Sequence, residues 1–126
     1  MRQRLERFSG REINTTGDGF LAAFTSAEAA LRGALSITEA VRAAGVEVRA
    51  GVHTGEVESL DSGDLRGIAV HATARIMAAA PTGTVYTSGL TRTLASTGRF
   101  RFTSAGTHEL KGFDQPVELF LVEETA

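Results

Sequence analysis

One carboxylate, that of Asp18, lies between two glycines where the chain either turns or holds a metal ion. Residues 11–24 read REINTTGDGFLAAF, with strand-like runs on both sides of Gly17-Asp18-Gly19. Asp-Gly between such runs predicts a tight β-hairpin, because glycine tolerates the positive φ that these turns need. Asp18 at the hairpin tip is then interpreted either as a turn residue or as an oxygen ligand for a hard cation such as Mg²⁺.

Three further polar side chains stand out by their type and position. His71 and Arg75 are four residues apart in a predicted helix, so they share one stripe of its surface. The rest of that helix is almost entirely apolar, so the stripe faces either solvent or a polar cleft. Lys111 is the only lysine among 13 lysine and arginine residues, and it lies in a predicted turn that also contains Gly112 and Pro116.

The composition limits the function classes. With 126 residues, 42% of them hydrophobic and 22% charged, the chain has the make-up of one globular domain. A net charge of -2 argues against nucleic-acid binding by a general basic field. The absence of cysteine excludes disulfides and thiolate metal sites, and no apolar run is long enough to span a bilayer. We therefore expect a cytoplasmic protein.

A helix must position two of these side chains, and the sequence predicts two long helices. Ser26 is a good N-cap, Glu28 adds negative charge to the first turn and Gly45 favours an end, so a helix is predicted over residues 27–44. The predicted apolar stripe of this helix contains Ala30, Leu31, Ala34, Leu35, Thr38 and Val41, and Arg32, Glu39 and Arg42 lie off it. A second helix is predicted over residues 67–80 and ends at Pro81.

The remaining pattern predicts a sheet. Alternation of Val46, Val48, Ala50 and Val52 with other residues predicts a half-buried strand over residues 46–53. Further strands are predicted over 56–60, 83–87, 100–110 and 117–122, with a loop at 61–64, a brief helix from Ser88 to about residue 96, and the last turns of a helix at 1–8. This order predicts an α+β sandwich, with helices packed on a largely antiparallel sheet, in a single domain over residues 1–126.

Four of these stretches, taken together, resemble one family. REINTTGDGFLAAF, VRAGVHTGEV, GIAVHATAR and HELKG resemble the catalytic domain of class III nucleotidyl cyclases, the adenylate and guanylate cyclases, in the family's order and with family-like spacing over residues 2–122. The resemblance implies a ferredoxin-like cyclase sandwich. It also implies that ATP is converted to 3′,5′-cyclic AMP and pyrophosphate, with two Mg²⁺ or Mn²⁺ ions that activate the ribose 3′-hydroxyl group.

The resemblance assigns a role to each polar residue singled out above. Asp18 matches a metal-binding aspartate, and Arg75 matches the arginine that stabilises charge on the α-phosphoryl group in the transition state. His71 falls where many members carry an asparagine that orients the ribose, and Lys111 matches the lysine that neutralises the terminal phosphates. His53 and His108 are assigned structural roles.

Two further positions carry the choice of base. Asp64 matches an aspartate that accepts a hydrogen bond from the adenine amino group. Where many adenylate cyclases have a lysine, this chain has Asn14, whose amide can donate to adenine N1 but can also accept. The expected substrate is therefore ATP, and GTP stays open as an alternative.

The resemblance also implies a homodimer, because the family's active sites lie between two subunits. Asp18 would serve from one subunit, and the other five site residues from its partner. The family's opening motif, Phe-x-Asp-(Ile/Val)-x-x-(Ser/Thr), has no match in this sequence, nor do its first strand and most of the following helix. We therefore expect an N-terminally truncated domain with impaired catalysis, whose sheet is completed by dimerisation, strand exchange or rearrangement.

Two other function classes were weighed against the enzyme. The family's opening motif supplies its first metal aspartate, and the lack of a match to it favours a catalytically silent cyclase-like module for dimerisation or nucleotide sensing. Asp18, Arg75 and Lys111 favour the enzyme. A ferredoxin-like nucleic-acid binder is disfavoured, because the chain lacks a basic face and strand aromatics in a stacking pattern.

Overall fold

The computed structural model describes residues 11–16, 19–24, 26–55, 58–59, 65–66, 68–95, 98–111 and 113–125. In chain order these residues form β1 (Arg11–Thr16), β2 (Gly19–Ala23), α1 (Ala27–Ala43), β3 (Ala50–Val52), β4 (Glu58–Ser59), β5 (Leu65–Arg66), α2 (Ile68–Ala79), β6 (Val85–Ser88), α3 (Gly89–Leu94), β7 (Phe100–His108) and β8 (Val117–Glu124). The predicted helical turns at residues 1–8 and the predicted loop at 61–64 lie outside the described residues.

The described strands form one four-stranded sheet and two hairpins. The sheet has the order β3-β6-β8-β7, in which β3 and β6 are parallel and the other neighbours are antiparallel. The hairpins are β1–β2 and β4–β5, both antiparallel. All three helices contact the four-stranded sheet. The sequence-based prediction of an α+β fold with a largely antiparallel sheet is therefore confirmed.

Helix α1 is defined by the residues at its two ends. The hydroxyl group of Ser26 accepts a hydrogen bond from the amide of Ala29 at 3.1 Å, and Glu28 lies in the first turn. After Ala43 the chain leaves the helix through Gly45, whose φ of 87° is a left-handed value that suits glycine. Capping of this kind contributes about 1 kcal/mol at the N-terminus. The predicted bounds of this helix are confirmed to within one residue.

The core lies between α1 and the four-stranded sheet. Leu31 of α1 is fully buried, and burying a leucine side chain contributes roughly 2 kcal/mol. Its buried neighbours in the core cluster are Val52, Val85, Ala95, Phe100 and Val122. The predicted stripe of α1 is right at Leu31 and Thr38 but omits Gly33 and Ile37, which are also buried.

The predicted strand over residues 46–53 is wrong at its beginning. The ladder of β3 starts at Ala50, and Val46 is 53% exposed rather than buried. The reason lies in its partner, because β6 begins only at Val85 and the chain before it turns at residues 81–84. Residues 48 and 50 therefore bond to that turn, through Gly83 N to Val48 O at 2.8 Å and Ala50 N to Thr84 O at 3.0 Å. The short strand β5 was also missed.

Candidate functional site

Helix α2 connects the two parallel strands β3 and β6. A crossover helix runs back along its sheet, so its N-terminal half lies beside the carboxyl end of the strand that precedes it. Ala72, Ile76 and Ala80, at the end of the helix, are buried. The helix contacts both strands, so the position of every side chain on α2 depends on how closely it packs there.

Gly51 of β3 sets that packing distance. A Cβ atom at this position would lie 2.8 Å from the Cα atom of Met77 and 2.9 Å from the carbonyl oxygen of Thr73. These are backbone atoms of α2, which cannot move aside as the end of a flexible side chain can. Only glycine therefore lets the helix lie this close to the strand.

The opposite face of α2 is exposed and carries two of the predicted site residues. His71 and Arg75 are both exposed, and so are Ala74 and Ala78 on the same face. The alanines are short, so the longer side chains of His71 and Arg75 extend beyond them. Because Gly51 lies beside Thr73 and Met77, His71 lies about level with residue 53, two strand residues further on.

Residues at the carboxyl ends of β3 and β6 form a chain of hydrogen bonds. His53 Nδ1 lies 2.8 Å from Ser88 Oγ, Ser88 Oγ lies 3.3 Å from Thr91 Oγ1, and Thr91 Oγ1 lies 2.9 Å from Thr54 Oγ1. Ser88 occupies the N-cap position of α3, as predicted, but its hydroxyl group makes no capping bond. The segment after β3 is thereby tied to the start of α3.

Burial lowers the pKa of His53 from its usual 6.5, because desolvation disfavours the charged ring. The imidazole is therefore neutral near pH 7. Its ring meets the ring of Phe113 edge-on, with the centroids 6.1 Å apart and the planes at 74°.

Lys111 lies in the connection between β7 and β8, at the same edge of the sheet. Ser88 at the end of β6 pairs with Leu119 near the start of β8, so the chain before β8 lies beside the carboxyl end of β6. The amide of Phe113 donates to the carbonyl oxygen of Leu110 at 3.1 Å, which closes a turn around Lys111. The side chain of Lys111 is exposed.

The other predicted site residues are Asn14, Asp18 and Asp64. Asn14 lies on β1 opposite Leu21, next to a register shift between Glu12 and Asn14. Thr16 pairs with Gly19, which confirms the predicted hairpin, but Asp18 itself lies outside the described residues, and so does Asp64. Of the predicted site residues, the structure describes the side chains of His71, Arg75 and Lys111.

Within the described ranges, the carboxylates do not form a site for a pair of metal ions. The resemblance assigns one aspartate, Asp18, to metal binding. Across the described ranges, no group of three or more histidine, aspartate or glutamate side chains could surround an ion. One carboxylate does not by itself hold two cations, since each needs several oxygen ligands.

Sequence reasoning missed the residues that hold the site in place. Gly51 was treated only as one position of an alternating strand, although a glycine inside a strand is a signal of close backbone approach. Ser88 was expected to cap a helix, and Phe113 was passed over. The predicted structural role of His53 agrees with its hydrogen bond and ring contact. His108, also predicted as structural, lies 3.0 Å from the carbonyl oxygen of Ala105 through Nε2.

Comparison with known proteins identifies the family. Residues 1–124 match the family model described as the adenylate and guanylate cyclase catalytic domain. A protein of Rhizobium meliloti (strain 1021), provisionally named adenylate cyclase 3, is 33% identical over 120 residues. This match covers 88% of the present chain but only 20% of that relative's length.

Solved structures show the same fold. The adenylate/guanylate cyclase/hydrolase of Silicibacter pomeroyi is 29% identical with a TM-score of 0.84, and the match covers 95% of this chain and 74% of that one. The guanylate cyclase domain of Catenaria anguillulae RhGC, solved with GTP, is 21% identical with a TM-score of 0.82, covering 99% and 78%. Separately, none of the described helices is long and apolar enough to cross a membrane.

Proposed function

This chain belongs to the family of adenylate and guanylate cyclase catalytic domains, and on that premise we propose that it acts as an adenylate cyclase domain. It would convert ATP to 3′,5′-cyclic AMP and pyrophosphate. The observation that carries the proposal is the position of His71, Arg75 and the Lys111 turn, all near the carboxyl ends of β3 and β6. Because ATP is abundant in the cytoplasm, we propose that the domain works there.

Each of these three residues has a distinct task in the proposal. Arg75 binds the α-phosphoryl oxygens and stabilises the charge that they gain in the transition state, because a guanidinium group offers several donors in one plane. Lys111 neutralises the terminal phosphates with its compact ammonium group. His71 orients the ribose through a hydrogen bond from its imidazole.

We assign recognition of the base to Asn14 and Asp64. The amide of Asn14 donates to adenine N1, and the carboxylate of Asp64 accepts from the adenine amino group. Guanine offers the opposite pattern at these two positions, which favours ATP. Since the amide of Asn14 can also accept, GTP is the second substrate to test.

We propose Asp18 as a ligand for Mg²⁺ or Mn²⁺, the kind of ion that the family generally uses. A carboxylate suits both ions. The proposal for this chain concerns binding and charge stabilisation by its own side chains.

We further propose that the chain works as a homodimer, with Asp18 from one copy and the other site residues from its partner. The short side chains of Ala74 and Ala78 would let a second copy approach His71 and Arg75 closely. Among the described strands, β3 pairs only with β6 and lies at the edge of the four-stranded sheet. Strand exchange at this edge is one route to the dimer.

A complementation experiment tests both the reaction and the shared site. Formation of cyclic AMP and cyclic GMP is measured with Mn²⁺-ATP and Mn²⁺-GTP for the unmodified chain, Asp18→Ala, Arg75→Ala and a refolded mixture of both variants. We expect more cyclic AMP than cyclic GMP, loss in each variant, and recovery to about a quarter of the unmodified activity in the mixture, because half of the dimers regain one intact site. No recovery in the mixture would contradict the shared site.

The alternative function is a catalytically silent cyclase-like module for dimerisation or nucleotide sensing. The observation in its favour is the single candidate metal aspartate in the sequence. Nucleotide binding without any cyclic product, from either substrate, would support this alternative and overturn the enzyme.

A further inference from the structure

We propose that His53 is a positioning residue, which fixes the turn around Lys111 so that the ammonium group of Lys111 meets the terminal phosphates of the nucleotide. This inference rests on the function proposed above, and it adds a residue that contacts the substrate only through others. The path has three steps, from Ser88 to His53, from His53 to Phe113, and from Phe113 to the turn.

The first step fixes the imidazole ring. His53 is the first residue after β3, and its Nδ1 atom lies 2.8 Å from the hydroxyl oxygen of Ser88 at the end of β6. Ser88 is itself almost fully buried and pairs in the sheet with Leu119, which is completely buried. The ring is therefore held against a buried part of the four-stranded sheet.

The second and third steps carry this position to Lys111. The ring of Phe113 meets the ring of His53 edge-on at 6.1 Å, an arrangement that aromatic rings prefer over a face-to-face stack. The backbone amide of Phe113 in turn bonds to Leu110 O and closes the turn around Lys111. A shift of the Phe113 ring would thus move the backbone from which the lysine side chain extends.

The chemistry of the imidazole suits this task better than an aliphatic side chain would. Leucine would bury more apolar area at this position, so packing alone does not explain a histidine here. The imidazole bonds to a hydroxyl group on one side and offers a ring to Phe113 on the other. Burial lowers the pKa of this imidazole, because desolvation disfavours its charged form, so the ring stays uncharged near neutral pH.

The test measures how well the protein distinguishes a triphosphate from a monophosphate. Binding of α,β-methylene-ATP, which cannot be cyclised, and of AMP is measured by calorimetry in the same Mg²⁺ buffer. The dissociation constant of AMP divided by that of α,β-methylene-ATP reports contacts to the terminal phosphates. A general loss of structure would weaken the binding of both ligands together and leave this ratio unchanged. Thermal melting shows that each variant is folded.

We expect Lys111→Ala to reduce this ratio about tenfold, and His53→Asn, which keeps a polar partner for Ser88 but removes the ring, to reduce it about threefold. A matched pair of variants at Phe113 tests whether the contact with His53 needs an aromatic ring or only an apolar side chain, since Phe113→Tyr keeps the ring and Phe113→Leu does not. Only the leucine variant should reduce the ratio. His53→Asn added to Lys111→Ala should have no further effect. His108→Asn, a histidine bonded within β7, is the matched control and should leave the ratio unchanged.

The possible results separate this inference from the function on which it rests. If Lys111→Ala leaves the ratio unchanged, the proposed role of Lys111 is wrong. If Lys111→Ala lowers the ratio but His53→Asn and Phe113→Leu do not, only the positioning role of His53 is overturned. An equal loss of affinity for both ligands in His53→Asn would also overturn this positioning role, because a residue that only stabilises the fold would have that effect. If His53→Asn does not fold, the comparison of the Phe113→Tyr and Phe113→Leu variants decides.

Discussion

The two long helices, α1 and α2, turn very different faces to solvent. Each buries one stripe against the four-stranded sheet. On its other side α1 exposes Glu39 and Arg42, a polar surface of the usual kind. On its other side α2 exposes the two short residues Ala74 and Ala78 beside His71 and Arg75. The exposed face of α1 is typical of a helix that only supports the sheet. The exposed face of α2 also suits contact with a ligand or with a second copy of the chain.

The difference extends to how each helix is held. Helix α1 has a side-chain cap at Ser26, and an ion pair of 3.0 Å joins Glu28 in its first turn to Arg99. Helix α2 has no acidic residue in its first turn and no basic residue in its last turn, and it lies backbone to backbone against Gly51. A side-chain cap and an ion pair thus hold the start of α1, whereas α2 depends on close packing with β3. A helix fixed in this way holds outward-facing side chains at a constant distance from the sheet.

The largest effect is expected from replacing the exposed arginine of each helix by alanine. Arg75→Ala should lower kcat for cyclic AMP formation about 100- to 1,000-fold, or ~3–4 kcal/mol, because it removes charge stabilisation in the transition state. Arg42→Ala should change kcat less than about twofold, because Arg42 donates to Gly83 O at 2.6 Å, near the amino end of β6. Steady-state kinetics with Mn²⁺-ATP checks both. Equal losses in the two variants would contradict the division of roles between the helices.

The next largest effect is expected from adding one methyl group at a glycine in the packing of each helix, Gly51 of β3 under α2 and Gly33 within α1. Gly51→Ala should destabilise the protein by about 3 kcal/mol, because the new Cβ meets the backbone of α2. Gly33→Ala should change stability by less than about 1 kcal/mol, because its Cβ meets only the ring of Phe24, 2.8 Å away, which can rotate aside, and because alanine favours a helix.

Urea unfolding followed by circular dichroism gives both free energies of unfolding. If Gly51→Ala is as stable as Gly33→Ala, the packing of α2 on β3 is looser than the geometry indicates. Binding of α,β-methylene-ATP to folded Gly51→Ala adds a second readout, since a displaced α2 would weaken it.

A smaller effect is expected at the N-terminus of α1. Ser26→Ala should cost about 1 kcal/mol, because the amide of Ala29 loses its acceptor, and Ser26→Asp should restore most of this loss. Activity should follow stability only, because α1 carries no proposed site residue. A loss of nucleotide binding in folded Ser26→Ala would show that α1 does more than support the sheet.

The sequence predicted well those features that depend on near neighbours in the chain. The bounds of α1 followed from Ser26 and Gly45, and the pairing of β1 with β2 followed from the Asp-Gly turn. What failed depends on residues far apart. Val46 alternates like a strand residue, but the ladder can begin only where β6 provides a partner, about 35 residues later.

The same distinction holds at the candidate site. The four-residue spacing of His71 and Arg75 predicted a shared stripe that faces either solvent or a polar cleft, and both residues are exposed. By contrast, Ser88 is 35 residues from His53, so its sequence context indicated a helix cap and gave no sign that the hydroxyl group bonds to an imidazole. The sequence also gave no sign that Gly51 lies close to Met77. The alternation of residues along a strand predicts which face of the sheet a residue lies on, but not how closely a helix packs against that face.

The smallest effect is expected from the pH, and it concerns the end of β3 beside α2. Burial lowers the pKa of His53, so between that value and 6.5 the unfolded chain binds a proton that the folded chain does not. Stability should therefore fall as the pH drops through this range, and level off once both states are protonated. His53→Asn should remove this part of the slope, and His108→Asn should keep it. The free energy of unfolding, measured in urea between pH 7.5 and pH 5, gives the slope of each variant. Equal slopes for the unmodified chain and His53→Asn would mean that the ring of His53 is more open to water than its contacts with Ser88 and Phe113 imply.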